Sequence, residues 1–199
     1  MSALDERVKR LFEISIEAKI ALAEAMSATI VKTAERLVKC LLNDGKIFIC
    51  GIGASAANGI HFSTALLSHF EVERPPLPVI NLSTDSTLFG AIAKDGQVAQ
   101  WFARQIQALG QENDVLILLS TTWQSSSLLF AITAAHDRGM DVIVLSGCDG
   151  GSLVSHLGPQ DIELRVAGVS ASHIRELHLF ILHCLCDLID QSLFGQMYE

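Results

Sequence analysis

At 199 residues the chain is long enough to bury the core of one domain. Half of it is hydrophobic and only 18% charged, a mix that favours a helix-covered sheet and self-association over a solvated monomer. A net charge of −8 without a clustered Lys/Arg patch disfavours direct nucleic-acid binding and attraction to anionic membranes.

Two amphipathic helices are expected first, over 5–25 and 27–42, with Leu11, Ile14, Ala18, Ala21 and Leu22 spaced three or four apart and Ser27 as an N-cap between them. The polar start lacks the apolar core of a signal peptide. Short apolar strands follow at 46–50, 78–82, 115–119, 141–146 and 161–166, alternating with helices at 56–70, 97–109, 125–138 and 171–193. The apolar run Leu177–Ile189 is too short to span a bilayer and carries two histidines and an aspartate, so no membrane span is expected. Five cysteines form an odd set without metal-type pairing, and Cys184 and Cys186 fall in an apolar helical pattern. Reduced buried thiols and a cytoplasmic location follow.

The pattern predicts an α/β fold: a three-layer, doubly wound, five-stranded parallel sheet with two extra N-terminal helices. The whole of 1–199 reads as a single domain, with 1–43 as helices used in oligomerisation and 44–199 as the α/β sandwich.

Two strand-to-helix junctions carry the chemistry. In Lys46-Ile-Phe-Ile-Cys-Gly-Ile-Gly-Ala-Ser-Ala-Ala-Asn58 an apolar run stops at Gly51 and Gly53, and a small-residue helix begins. Glycines let backbone approach a ligand closely, and free N–H groups in a first helical turn favour an anion. In Val115–Ser127 a strand ends in Ser120, Thr121, Thr122 and Ser125. Both junctions lie at strand carboxyl ends, where ligands bind in such sheets, so a phosphate or sugar-phosphate cradle is expected. Ser55 and Asn58 read equally well as N-cap and first-turn residues.

Gly51–Phe62, Glu73-Arg-Pro-Pro-Leu-Pro78, Leu119-Ser-Thr-Thr-Trp-Gln-Ser125, Gly147-Cys-Asp-Gly-Gly151 and Ile174-Arg-Glu-Leu-His178 run in this order. The chain thereby resembles the sugar isomerase (SIS) domain family, in its phosphoheptose isomerase branch. Gly158–Glu163, His183–Asp190 and Leu193-Phe194 are most similar to the DnaA initiator-associating group within that branch.

The resemblance implies a metal and acid–base site of four residues, and places them here at His61, Ala65, Arg175 and His183. Ala65 can neither accept a proton nor bind a metal, and an Arg175 guanidinium has no lone pair for a cation. No catalytic residue, metal or cofactor is therefore expected, with His61 and His183 as remnants and packed core histidines as the plainer reading. The phosphate loop has Trp123 where the family has glycine, an indole expected to fill the space. Ile52 stands in place of the family's Asn, and Lys94-Asp95 in place of its Asn-Asp pair. Gly53, Ser55, Ser120, Thr121, Thr122, Ser125, Asp95 and Arg175 remain as a cradle-like set, and Lys94 and Arg175 could still attract an anion.

The resemblance implies a noncatalytic homotetramer that binds several copies of the replication initiator DnaA and promotes their assembly at the origin, through Ser55, Asn58, Leu193 and Phe194. The alternatives are a phosphoheptose isomerase and a sugar-phosphate-sensing regulator. Leu193 and Phe194 near a polar chain end either pack onto the core or contact a partner.

Overall fold

The computed structural model describes residues 2–122, 125–148, 150–168 and 170–195, without the side chains of 151 and 152. Strands β1 (Ile47–Gly51), β2 (Val79–Asn81), β3 (Val115–Leu119), β4 (Asp141–Gly147) and β5 (Ile162–Val166) form one parallel sheet in the order β2-β1-β3-β4-β5. The inner strands β1 and β3 are buried along their whole length because helices cover both faces, whereas the edge strand β5 alternates as Ile162-Glu-Leu-Arg-Val166. Alternate residues still divide between two cores. Ile47, Ile49, Ile117, Leu119, Ile143 and Leu164 join the core shared with α1 (Ala3–Leu42), α2 (Ser55–Leu67) and α7 (Ala171–Phe194). Phe48, Cys50, Leu116, Leu118, Val142 and Val144 face α4 (Trp101–Leu109) and α5 (Ser126–Asp137). The expected α/β sheet is therefore present.

The two expected N-terminal helices are one. α1 runs 40 residues, about 60 Å at 1.5 Å per residue. No glycine or proline interrupts it, and the Ser27 hydroxyl donates back to the Ala23 carbonyl four residues earlier instead of capping a new helix. The helix starts at a capping box formed by Ser2 and Asp5. It packs through Leu22, Ile30, Ala34 and Leu37, while residues 3–13 are exposed throughout.

Other departures are local. The expected helix over 97–109 begins as a 3-10 turn, Val98–Gln100, before α4. Two short helices were not expected: α3 (Ser86–Lys94), capped by the Asp85 carboxylate, and α6 (Gly151–Val154). Gly90 weakens the helical signal of α3. α7 is long and apolar enough to cross a membrane by length and composition. Ile174, Leu177, Ile181, Leu182, Leu185 and Ile189 are nevertheless buried in the first core, which makes it a core helix. The five cysteines are free thiols, and Cys40, Cys50 and Cys186 are buried. Burial pushes the Cys40 and Cys186 thiols up to about 12, which keeps them protonated and inert. Cys148 is exposed, contrary to the expected burial.

Candidate functional site

The strand order places the site. The chain passes from β1 outward to β2, then returns past β1 to β3, so the direction of winding reverses between β1 and β3. Their register pairs Gly51 with Leu119, so both strands end side by side and the two loops leave the same edge. Gly51 is required here: a Cβ would lie 2.9 Å from the Ser55 carbonyl carbon and oxygen. Gly53 supplies the left-handed turn at φ +59°.

The first turn of α2 differs from the open anion cradle that was expected. The amides of Ser55, Ala56 and Ala57 already donate to the carbonyls of Ile52, Gly53 and Ala54, at 3.2, 3.1 and 3.3 Å. The N-cap is Ala54, and Ser55 is the first helical residue, 2% exposed. Ser55 thus neither caps the helix nor presents a free partner-binding surface. The Asn58 amide donates to the Arg175 carbonyl at 2.8 Å, stitching the first turn of α2 to the first turn of α7 and leaving the half-buried Arg175 beside the crevice.

In the second loop the Ser120 amide donates to Leu145 O at 3.0 Å, and its hydroxyl donates to Thr122 O. Ser125 caps α5, its side chain accepting from Leu128 N. Thr121 is half-buried and Thr122 exposed. Trp123 lies outside the described residues. Lys94 and Asp95 are exposed at the C-terminal end of α3. Among the described residues, no hydrogen bond or ion pair joins either of them to the two loops.

Two turns along α2 the structure makes a pair from the two histidines read as remnants. His61 Nε2 and His183 Nε2 are 2.9 Å apart and hydrogen-bonded, with ring centroids 4.9 Å apart at 61°. They are not packed core histidines: His61 is exposed and His183 half-buried, both on the wall of a pocket of about 310 Å³. Thr64, Ala65, His69, Phe70 and Glu71 complete that wall. Burial first, then neighbouring His61, hold the His183 ring below its ordinary titration range, while Glu71 acts in the opposite direction. The core histidine is instead His178, fully buried, with Nε2 3.1 Å from Ser146 O and a pKa lowered by burial to about 4.

The metal of the resembled site does not fit this donor set. Position 65 offers a methyl group, position 175 a permanent cation, and no group of three or more His, Cys, Asp or Glu among the described residues is arranged to hold an ion.

His69, Phe70 and Glu71 were not singled out from sequence. They lie on the loop between α2 and β2, which Arg74 fastens down. Its guanidinium donates to Leu66 O at 2.7 Å, Ala65 O at 2.9 Å and Asp190 Oδ1 on α7 at 2.8 Å. Glu73-Arg-Pro-Pro marked this loop as a motif, but nothing in a linear reading shows that it folds back onto His183.

Leu193 and Phe194 are half-buried and pack against the first core, where α7 ends at Gly195 with φ +80°. Both were expected as partner contacts, and part of their surface is instead taken up in core packing.

A doubly wound sheet with two hydroxyl- and glycine-bearing loops at its switch point, a long N-terminal helix and a helical histidine pair define an α/β domain of the ligand-binding, doubly wound class. The SIS domain family model matches residues 13–147, and the chain belongs to that family. A phosphoheptose isomerase of Coxiella burnetii is 48% identical over 190 residues, 96% of each chain. The solved phosphoheptose isomerase of Francisella tularensis superposes with a TM-score of 0.90 at 44% identity, covering 96% of this chain and 100% of that one. That of Neisseria gonorrhoeae gives 0.88 at 38% identity, covering 95% and 100%.

These relatives confirm the phosphoheptose isomerase branch and overturn the initiator-associating function. Full-length relatives at 44–48% identity bear the isomerase name. The surface expected to hold DnaA also dissolves in part, since Ser55 is buried and Leu193 and Phe194 pack on the core.

Proposed function

We propose that this protein binds a phosphorylated seven-carbon sugar in the crevice between β1 and β3 and acts as a phosphoheptose isomerase, interconverting the ketose and aldose forms of the 7-phosphate. The observation that carries the reading is the hydrogen-bonded His61–His183 pair in its pocket, about two turns along α2 from the switch-point loop. Six residues of helix separate Ser55 from His61, about 9 Å, the scale of a sugar phosphate lying along α2. The phosphate would meet the hydroxyls of the 120–125 loop and the Arg175 guanidinium, and the reacting carbons would lie at the histidines.

Aldose–ketose isomerisation moves a proton between adjacent carbons and another between their oxygens, with no external oxidant. A neutral imidazole has one N–H and one lone pair, so two of them sharing a hydrogen bond can donate to one oxygen and accept from another. Holding the His183 ring below its ordinary range keeps it neutral at pH 7. The chain then needs no metal for this part of the chemistry.

The test is conversion of sedoheptulose 7-phosphate, with calorimetric binding measured on the same preparation. Turnover of order 1 per second or above is expected, falling at least about 10²-fold in His61→Ala and His183→Ala. A protein that neither binds nor converts the sugar refutes the reading. Ala65, a methyl group where a carboxylate would be useful, favours a second reading: a sugar-phosphate sensor that binds without turnover. Binding with no conversion would select it.

The same reading has the protein working in the cytoplasm as a homotetramer. Leu4, Val8, Phe12, Ile16 and Ile20 recur every four residues along α1 and are 52–78% exposed, an apolar stripe suited to other copies of the chain.

A further inference from the structure

Ala65 gives the pocket only a methyl group beside the histidine pair, yet the pocket wall does hold a carboxylate. Glu71 lines the same space as His61, Ala65 and His183, reached from the loop after α2 instead of from α2 itself. We propose that Glu71 is the proton-carrying carboxylate of this site, placed there by the Arg74-anchored loop and admitted by the small side chain at position 65. This rests on the isomerase reading above and names the group that completes it.

Three observations support it. The loop is pinned on both sides of Glu71: Phe70 lies against the His183 ring, with centroids 5.6 Å apart, and Arg74 is tied to Ala65 O, Leu66 O and Asp190. Glu71 is close enough to His183 for its charge to favour the protonated ring, opposing His61. The Ala65 methyl is 6% exposed on the pocket wall, so a longer acidic side chain there would project into the same space and repel a second carboxylate.

The step balances internally. Glu71 takes the proton from C1 of the ketose, the C–H electrons form the C1–C2 double bond, and the C2 oxygen receives a proton from the histidine pair. The resulting enediol returns its O1 proton to the histidines, the electrons form the C1 carbonyl, and Glu71 delivers its proton to C2. C1 is oxidised and C2 reduced within one molecule, and the side chains end as they began.

The experiment compares wild type, Glu71→Gln, Glu71→Asp, and Glu71→Gln combined with Ala65→Glu, using sedoheptulose 7-phosphate turnover and calorimetric binding. Glu71→Gln is expected to lower kcat by about 10²-fold or more, the usual loss of one acid–base group, with KM and binding little changed. Glu71→Asp should recover part of kcat, and so should the Ala65→Glu partner change, which returns a carboxylate by the other route. A Glu71→Gln protein that keeps wild-type kcat overturns the role of Glu71 while leaving the isomerase reading intact. Loss confined to KM, or equal loss in all three variants, makes Glu71 a structural residue and overturns it equally. Wild-type protein that binds without turnover fails the isomerase reading, and Glu71 as a proton carrier falls with it.

Discussion

Replacing Arg74 by methionine should be among the most damaging single changes in the chain. Its side chain is 1% exposed and that of its partner Asp190 is 3%, so the ion pair at 2.8 Å is shielded from water. Removing one member of a buried pair leaves an uncompensated buried group and costs about 3–5 kcal/mol. The carbonyls of Ala65 and Leu66 at the C-terminal end of α2 would also lose their donor, each such bond being worth about 0.5–1.5 kcal/mol. At about 2–4 °C per kcal/mol for a domain of this size, the ion-pair loss alone lowers Tm by roughly 6–20 °C. Thermal and urea unfolding at one fixed protomer concentration would measure it, because the proposed assembly would couple stability to concentration. Adding Asp190→Leu should rescue part of the loss, because a fully apolar pair buries no orphaned charge, but not the part due to the α2 carbonyls. An Arg74→Met protein within about 1 kcal/mol of wild type, or strictly additive effects of the two changes, would refute this account.

The buried His178 makes stability depend on pH in a defined window. Its folded pKa of about 4 lies below the ordinary 6.5, so the unfolded chain binds the extra proton first. Its contribution is complete above pH 6.5 and is lost as pH falls toward 4, by up to about 3 kcal/mol at 1.36 kcal/mol per unit. His183, also shifted down, acts in the same sense, whereas Glu163 and Glu176 are held below the ordinary carboxylate value of 4.5 and lose their contributions only further into acid. Urea midpoints between pH 7 and 5 should therefore fall with acidity in wild type and less steeply in His178→Gln; parallel slopes would contradict the assignment. On the α1 stripe, changing Phe12 and Ile16 to glutamate should reduce the mass measured by light scattering from that of the proposed tetramer to fewer chains, with the α/β core unchanged by circular dichroism. An unaltered tetramer would place the interface elsewhere.

The architecture was legible along the chain because its signals are local. A run such as Val115–Leu119 followed by Ser120 is apolar enough to be a doubly covered strand and polar enough afterwards to be a turn, while Ile162–Val166 alternates as an edge strand does. Local signals also misled where a tertiary choice decides: Ser27 can cap a helix or bond back to Ala23, and only an uninterrupted α1 selects the second. Side-chain losses at positions 65 and 175 were likewise visible as residue types, since a methyl group and a guanidinium have fixed chemistry. What surrounds those positions was not. His61 and His183 are 122 residues apart, and the sheet order brings α2 and α7 together to make them a pair. Glu71 carries no mark in a linear reading; it belongs to the site because Arg74 folds its loop against Asp190, 116 residues away. Leu193 and Phe194 show the converse, apolar residues whose role depended on whether a core lay within reach, and one does. Residue chemistry and periodicity are properties of the chain itself, whereas a pocket is a set of distances between distant segments, and those exist only once the sheet and its covering helices have closed.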